Sequence, residues 1–129
     1  MESRHLSVVI HRPPAEVYAF AAEPDNLVRW AAGLASADVR REGATLVADS
    51  PVGPVRIAFV ERNAYGVLDH DVTTPDGVTT HNPLRVLAHP DGAEVVFTLR
   101  QLAVTDDELD RDAGLVQADL ERLRELLEG

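Results

Sequence analysis

Two hydrophobic periods divide the chain. Between Thr105 and Glu128 the apolar residues Leu109, Ala113, Val116, Leu120, Leu123 and Leu127 recur at steps of four and three, which places them on one side of an α-helix. Leu115 and Leu126 flank that stripe, and most of the remaining positions are polar. Thr105 followed by Glu108 forms a capping box, and Asp106, Asp107 and Glu108 put negative charge at the positive end of the helix dipole. At about 1.5 Å per residue the segment spans roughly 36 Å. A helix of that length needs a broad apolar partner.

The rest of the chain supplies the partner in period two. Leu6, Val8 and Ile10 alternate between Arg4 and Arg12 as in a strand, and Pro13 and Pro14 stop it. AEVYAFAAE then predicts a short helix from about Pro14 to Ala22, with Val17, Phe20 and Ala21 on one side. Pro24 opens a second, running through Trp30 and ending near Gly33. From Ser36 the pattern becomes six short strands separated by turns at Glu42-Gly43, Pro51 to Pro54, Pro75-Asp76-Gly77 and Pro90-Asp91-Gly92. Pro83 falls inside VTTHNPLRVLA and predicts a bulge or an edge there. The order is therefore strand, two short helices, six strands, long helix, with the last helix the only element able to cover one sheet face.

Composition narrows the functional classes. With 129 residues, 45% of them hydrophobic, the chain predicts one domain, residues 1–129, able to bury a core without metal or disulfide. It has no cysteine, which excludes disulfides and thiolate-held metals and suits the expected cytoplasmic location. Its twelve cations are all arginine, against 22 acidic residues, for a net charge of -10. That sign repels phosphate backbones and anionic membranes, so nucleic acid is not an expected partner. The N-terminal apolar run is too short and too charged for a signal peptide, and no segment has the length to insert across a bilayer.

The stretch PAEVYAFAAEPDNLVRWAAGL resembles the N-terminal signature of the START-like (SRPBCC, polyketide cyclase-like) superfamily. GVLDHDVTTPDGVTTHNPLRVL, AEVVFTLRQ and the capped terminal helix are similar to the later elements of a small bacterial branch of it, so the resemblance covers nearly the whole chain. It implies an α+β helix-grip fold: a seven-stranded antiparallel sheet wrapped around a long C-terminal helix, with two short helices after strand 1. It also implies a cavity between sheet and helices. Function follows only loosely, since lipid carriers, cyclases, receptors and chaperone-binding modules share the fold.

Alternation indicates which side chains face such a cavity. Val55, Ile57 and Phe59 share one face, as do Val95, Phe97 and Leu99, and as do Leu68, His70 and Val72. Asp69 and Asp71 then point the other way, so Asp69-His70-Asp71 cannot hold a metal as a unit. Leu84 and Val86 facing inward would bring Asn82 and Thr80 with them and turn His81 and Arg85 outward, unless a bulge at Pro83 reverses the register. The candidate ligand pocket is thus Trp30, Phe59, His70, Asn82, Phe97 and, from the helix stripe, Val116. His70 reads either as a ligand anchor or general base, or as a core histidine satisfied by its neighbours. Trp30 reads as a lid or a core anchor, and Phe59 and Phe97 as core or ligand platform. His5, His11, His81 and His89 lack metal-site spacing, and no phosphate-binding or nucleophile-elbow motif occurs, so neither metal nor cofactor is expected.

Three functions fit. The first is binding of a small hydrophobic or amphipathic ligand, lipid or polyketide-like. A cyclase or dehydratase using His70 as general base is the second, although His70 is the one titratable residue that alternation places inside. The third is a cavity-free interaction or dimerisation module, its interior filled by its own side chains, whose acidic surface and exposed sheet edges would contact another protein; a homodimer is one expected partner state.

Overall fold

The computed structural model describes residues 2–31 and 39–129. Strand β1 (Ser3–Ile10) leads into helices α1 (Pro14–Ala22) and α2 (Pro24–Trp30). Six of the following strands are β2 (Val39–Glu42), β3 (Thr45–Ser50), β4 (Gly53–Phe59), β5 (His70–Thr73), β6 (Thr79–Asn82) and β7 (Leu84–His89). β8 (Gly92–Arg100) and the terminal helix α3 (Asp106–Glu128) complete the chain. Both short helices begin on proline, whose fixed φ suits the first turn and whose missing N–H would have no partner there. α2 ends at Trp30, where Ala31 turns extended and its N–H caps the Leu27 carbonyl, short of the expected end near Gly33; Gly33 itself and the expected start of the strand region at Ser36 lie outside the described residues.

The strands form two antiparallel sheets, β1-β8-β7 and β2-β3-β4-β5-β6, where the resemblance implies one sheet of seven. Pro83 is the physical reason for the difference. It divides the predicted strand over VTTHNPLRVLA into β6 and β7, because proline has no N–H to give to a ladder. The two sheets still meet at that point. β7 pairs with β8 along one edge, Leu84 opposite Phe97, and along its other edge bridges Val67 through Arg85. Leu68 N donates to Leu84 O at 2.8 Å, and Val86 N to Gly66 O at 2.8 Å. Gly66 holds φ +73°, and a Cβ there would collide with the Val86 carbonyl, so close backbone approach requires glycine at this seam.

Side chains complete the interrupted rung. Leu84 N donates to Asp69 Oδ1 at 3.0 Å instead of to Leu68 O, and Leu68 O accepts from His70 Nδ1 at 3.0 Å. The buried Asp69 carboxylate also takes a two-pronged contact from Arg85, Nε to Oδ1 at 2.8 Å and Nη2 to Oδ2 at 2.7 Å. The Arg85 guanidinium, helped by the Leu84 N–H, lowers the Asp69 carboxyl below its ordinary value despite its burial.

Helix α3 packs on β1, β8 and α2. Thr105 caps it as the sequence predicts: Glu108 N donates to Thr105 Oγ1 at 3.1 Å and Thr105 N to Glu108 Oε1 at 3.0 Å. Leu109, Leu120 and Leu123 are almost entirely buried, each at about 1.5–3 kcal/mol, against about 0.3–1 kcal/mol for favourable end charges. Burial therefore decides where the helix lies, and the cap decides where it starts. Leu115, beside the stripe, stays exposed. One apolar cluster joins both sheets to α1, α2 and α3. Among the described residues no helix is long and apolar enough to cross a membrane.

Candidate functional site: an apolar cleft around His70

A cleft of about 340 Å³ lies between α2, the inner face of β3, β4 and β5, the start of β7, Phe97 of β8, and the middle of α3. The alternating strand residues Val55, Ile57 and Phe59 come from β4, and Val116 and Leu120 from the helix stripe. Of the candidate residues, Trp30, Phe59, His70, Phe97 and Val116 all line it. Asn82 does not, which corrects its assignment. It sits opposite His70 in the register, but on edge strand β6, where the chain bends at Pro83. Thr80 also stands on β6, opposite Val72 and outside the lining.

His70 is the polar centre of this wall. Its ring lies 4.8 Å from the Phe59 ring and 6.1 Å from that of Phe97, centroid to centroid. Because its Nδ1 contacts a carbonyl oxygen, Nδ1 carries the proton and donates. Desolvation by burial holds the imidazole below its ordinary value, although the Leu68 bond and the nearby Asp69 pull the other way. The neutral ring thus keeps Nε2 as an acceptor. Trp30 is buried in the wall, and its Nε1–H has no hydrogen-bond partner among the described residues. The Trp30 carbonyl accepts from Arg122 Nη1 at 3.0 Å, tying α2 to α3 across the cleft.

Asp69 and Asp71 lie on the opposite face from His70, as alternation requires, beside His81 and Arg85. His81 Nδ1 and Asp71 Oδ1 are 2.7 Å apart. Among the described residues no three His, Asp or Glu side chains converge in a way that would hold a metal.

Sequence reasoning did not place Asp49, Ser50 and Asp119 at the cleft. Asp49 Oδ1 is 2.9 Å from Arg40 Nη1, and Asp119 Oδ1 is 3.2 Å from Arg122 Nη1. A signal for Asp119 was available, since it lies between Val116 and Leu120 on the face that α3 turns inward. For Asp49 no such signal existed, because the edge of β3 that it occupies depends on how the sheet curls.

No family model matches the chain, and no curated protein resembles it in sequence. Solved structures of distant sequence share its fold. The Aha1 dimer from Colwellia psychrerythraea matches with a TM-score of 0.78 at 16% identity, over 99% of this chain and 97% of that one. DynU16, a protein of the dynemicin biosynthetic locus, matches at 0.74 and 13% identity, over 99% of this chain and 48% of its own. Protein CV1439 from Chromobacterium violaceum matches at 0.72 and 15%, over 100% and 99%. At these identities the likeness shows the fold alone: an α+β arrangement with a C-terminal helix against antiparallel strands, consistent with a helix grip.

Proposed function

We propose that this chain is a START-like helix-grip domain that binds a small hydrophobic or amphipathic molecule, lipid or polyketide-like, in the cleft beside α3. The observation that carries this reading is an apolar cleft of about 340 Å³ with a neutral, singly engaged histidine in its wall. That volume is at the lower end of the roughly 300–1,000 Å³ typical of ligand sites, and such sites combine apolar walls with a few polar groups. Trp30, Phe59, Phe97 and Val116 supply burial, and His70 supplies orientation. One structural neighbour belongs to a biosynthetic locus, which fits a product of biosynthesis as ligand. Another is a dimer, which is compatible with a homodimer here. Native mass spectrometry of the protein purified from its own host is expected to show a bound passenger. A ligand present at a hundred times its Kd would raise Tm by about 10 °C for a domain of this size. Absence of both a passenger and any shift across fatty acids, fatty alcohols and polycyclic phenols refutes the reading.

A second reading, a cyclase or dehydratase with His70 as general base, draws on the Nδ1–H bond that leaves Nε2 free to take a proton. Both carboxylates at the cleft are engaged with arginines, which favours the ligand-binding reading over this one. Turnover unchanged in His70→Ala would remove this reading. The cleft itself weighs against a cavity-free interaction module.

A further inference from the structure

Given the ligand-binding reading above, on which this inference rests, the charges around the cleft bear on what it accepts. No arginine lines the cleft among the described residues, the chain has no lysine, and the stretch 32–38, AGLASAD, contains no cation. The charged side chains that do line it are Asp49 and Asp119, and both are negative. Each already has an arginine: Arg40 at 2.9 Å from Asp49 and Arg122 at 3.2 Å from Asp119. Arg122 Nη1 is further engaged by the Trp30 carbonyl. Neither arginine lines the cleft and each guanidinium already meets a carboxylate there, so the wall offers a ligand carboxylate no unpaired cation, and both of its own carboxylates are partly neutralised toward a ligand ammonium.

The histidine is equally selective. Its one proton is used on the Leu68 carbonyl, so its other nitrogen accepts and has nothing to donate to an anion. A carboxylate entering the cleft would lose its water and find no cation in the wall and no donor at His70; the Trp30 Nε1–H, unpartnered among the described residues, offsets only part of that loss. A hydroxyl could donate to His70 Nε2 while its ring lay against Phe59 and Phe97.

We propose that the cleft selects an uncharged ring compound bearing a hydroxyl group, which donates to His70 Nε2, and that it discriminates against the corresponding carboxylate and ammonium compounds. Four probes sharing one ring system test this by titration calorimetry at pH 7.5: 2-naphthol, naphthalene, 2-naphthoate and 2-naphthylmethylammonium. Binding of 2-naphthol is expected to be at least about tenfold tighter than that of 2-naphthoate, and tighter than that of the ammonium compound. In His70→Phe the naphthol should lose about 3- to 10-fold while naphthalene keeps its affinity, which also confirms that the variant is folded. His70→Gln, which keeps an acceptor, should recover part of the loss.

Equal or tighter binding of the naphthoate or the ammonium probe overturns the proposed selectivity and leaves ligand binding standing. So does a naphthol advantage over naphthalene that survives His70→Phe. Binding of none of the four probes, naphthalene included, overturns the ring-compound proposal, and the ligand-binding reading falls with it only when the passenger and the wider ligand panel fail as well.

Discussion

Replacing Asp69 with Ala tests the seam that orients His70. Asp69 is 6% exposed and accepts three hydrogen bonds, one from Leu84 N and two from Arg85. Leu84 is itself buried, so removing the carboxylate leaves its N–H unsatisfied at a cost of about 1–3 kcal/mol. The Arg85 side chain is 47% exposed and can return to water, so its share is discounted to about 0.5–1 kcal/mol. The total loss is about 1.5–4 kcal/mol, or roughly 6–16 °C in Tm for a domain of this size. Asp69→Asn keeps an oxygen for Leu84 and should cost about 1 kcal/mol. Urea denaturation of the three proteins, followed by circular dichroism, measures these differences. A loss below about 1 kcal/mol in Asp69→Ala, or equal losses in Ala and Asn, would refute the idea that the carboxylate replaces a missing ladder bond. A second readout reaches the cleft. With Asp69 gone, Leu84 N–H competes for the Leu68 carbonyl, and the imidazole nitrogen spectrum of His70 should show loss of a single Nδ1–H tautomer.

Acid dependence follows from the same group. Because the folded-state pKa of Asp69 is depressed, its contribution is complete above the unfolded value near 4 and is lost as pH falls through the folded value, so Asp69→Asn should flatten the acid limb of the stability curve. His70 is depressed too: its contribution is present above about pH 6.5 and fades as pH falls toward its folded value, so the wild-type advantage over His70→Phe in urea midpoints should shrink from pH 7.5 to pH 5. Gly66→Ala places a methyl group against the Val86 carbonyl at positive φ and should cost more than about 2 kcal/mol; a neutral effect in thermal unfolding would contradict the close approach of seam and β7. Thr105→Ala removes one half of the capping box and should cost about 1 kcal/mol by the same assay. Leu120→Ala, at a residue 1% exposed in the cleft wall, should cost about 2–5 kcal/mol and, if the protein remains folded, favour larger ring probes in the binding titration.

Much of the frame was legible because it depends on local physics. The bounds of α1 match the prediction residue for residue, since Pro14 starts it and the chain turns extended at Glu23 before Pro24. The helix stripe likewise identifies Leu109, Leu120 and Leu123 as core, and the capping box identifies the start of α3. Alternation separates His70 from Asp69 and Asp71 correctly, because residues in a strand cannot choose their face. Pro83 was readable as an interruption. What replaced the lost pairing was not, because Asp69 and Leu84 are 15 positions apart and meet only when β5 and β7 pair.

The sequence by itself therefore determined most of the elements, their order and which side chains share a face, which follow from periods of 3.6 and 2 and from proline and glycine chemistry acting over a few residues, while the strand predicted across Pro83 proved to be two. Only the tertiary structure decided that the strands divide into sheets of three and five, that Asn82 falls outside the cleft, and that Asp49 and Asp119 stand at it already paired with arginines. Those outcomes depend on how the sheets curl and which distant groups come within bonding distance, and no local pattern encodes them.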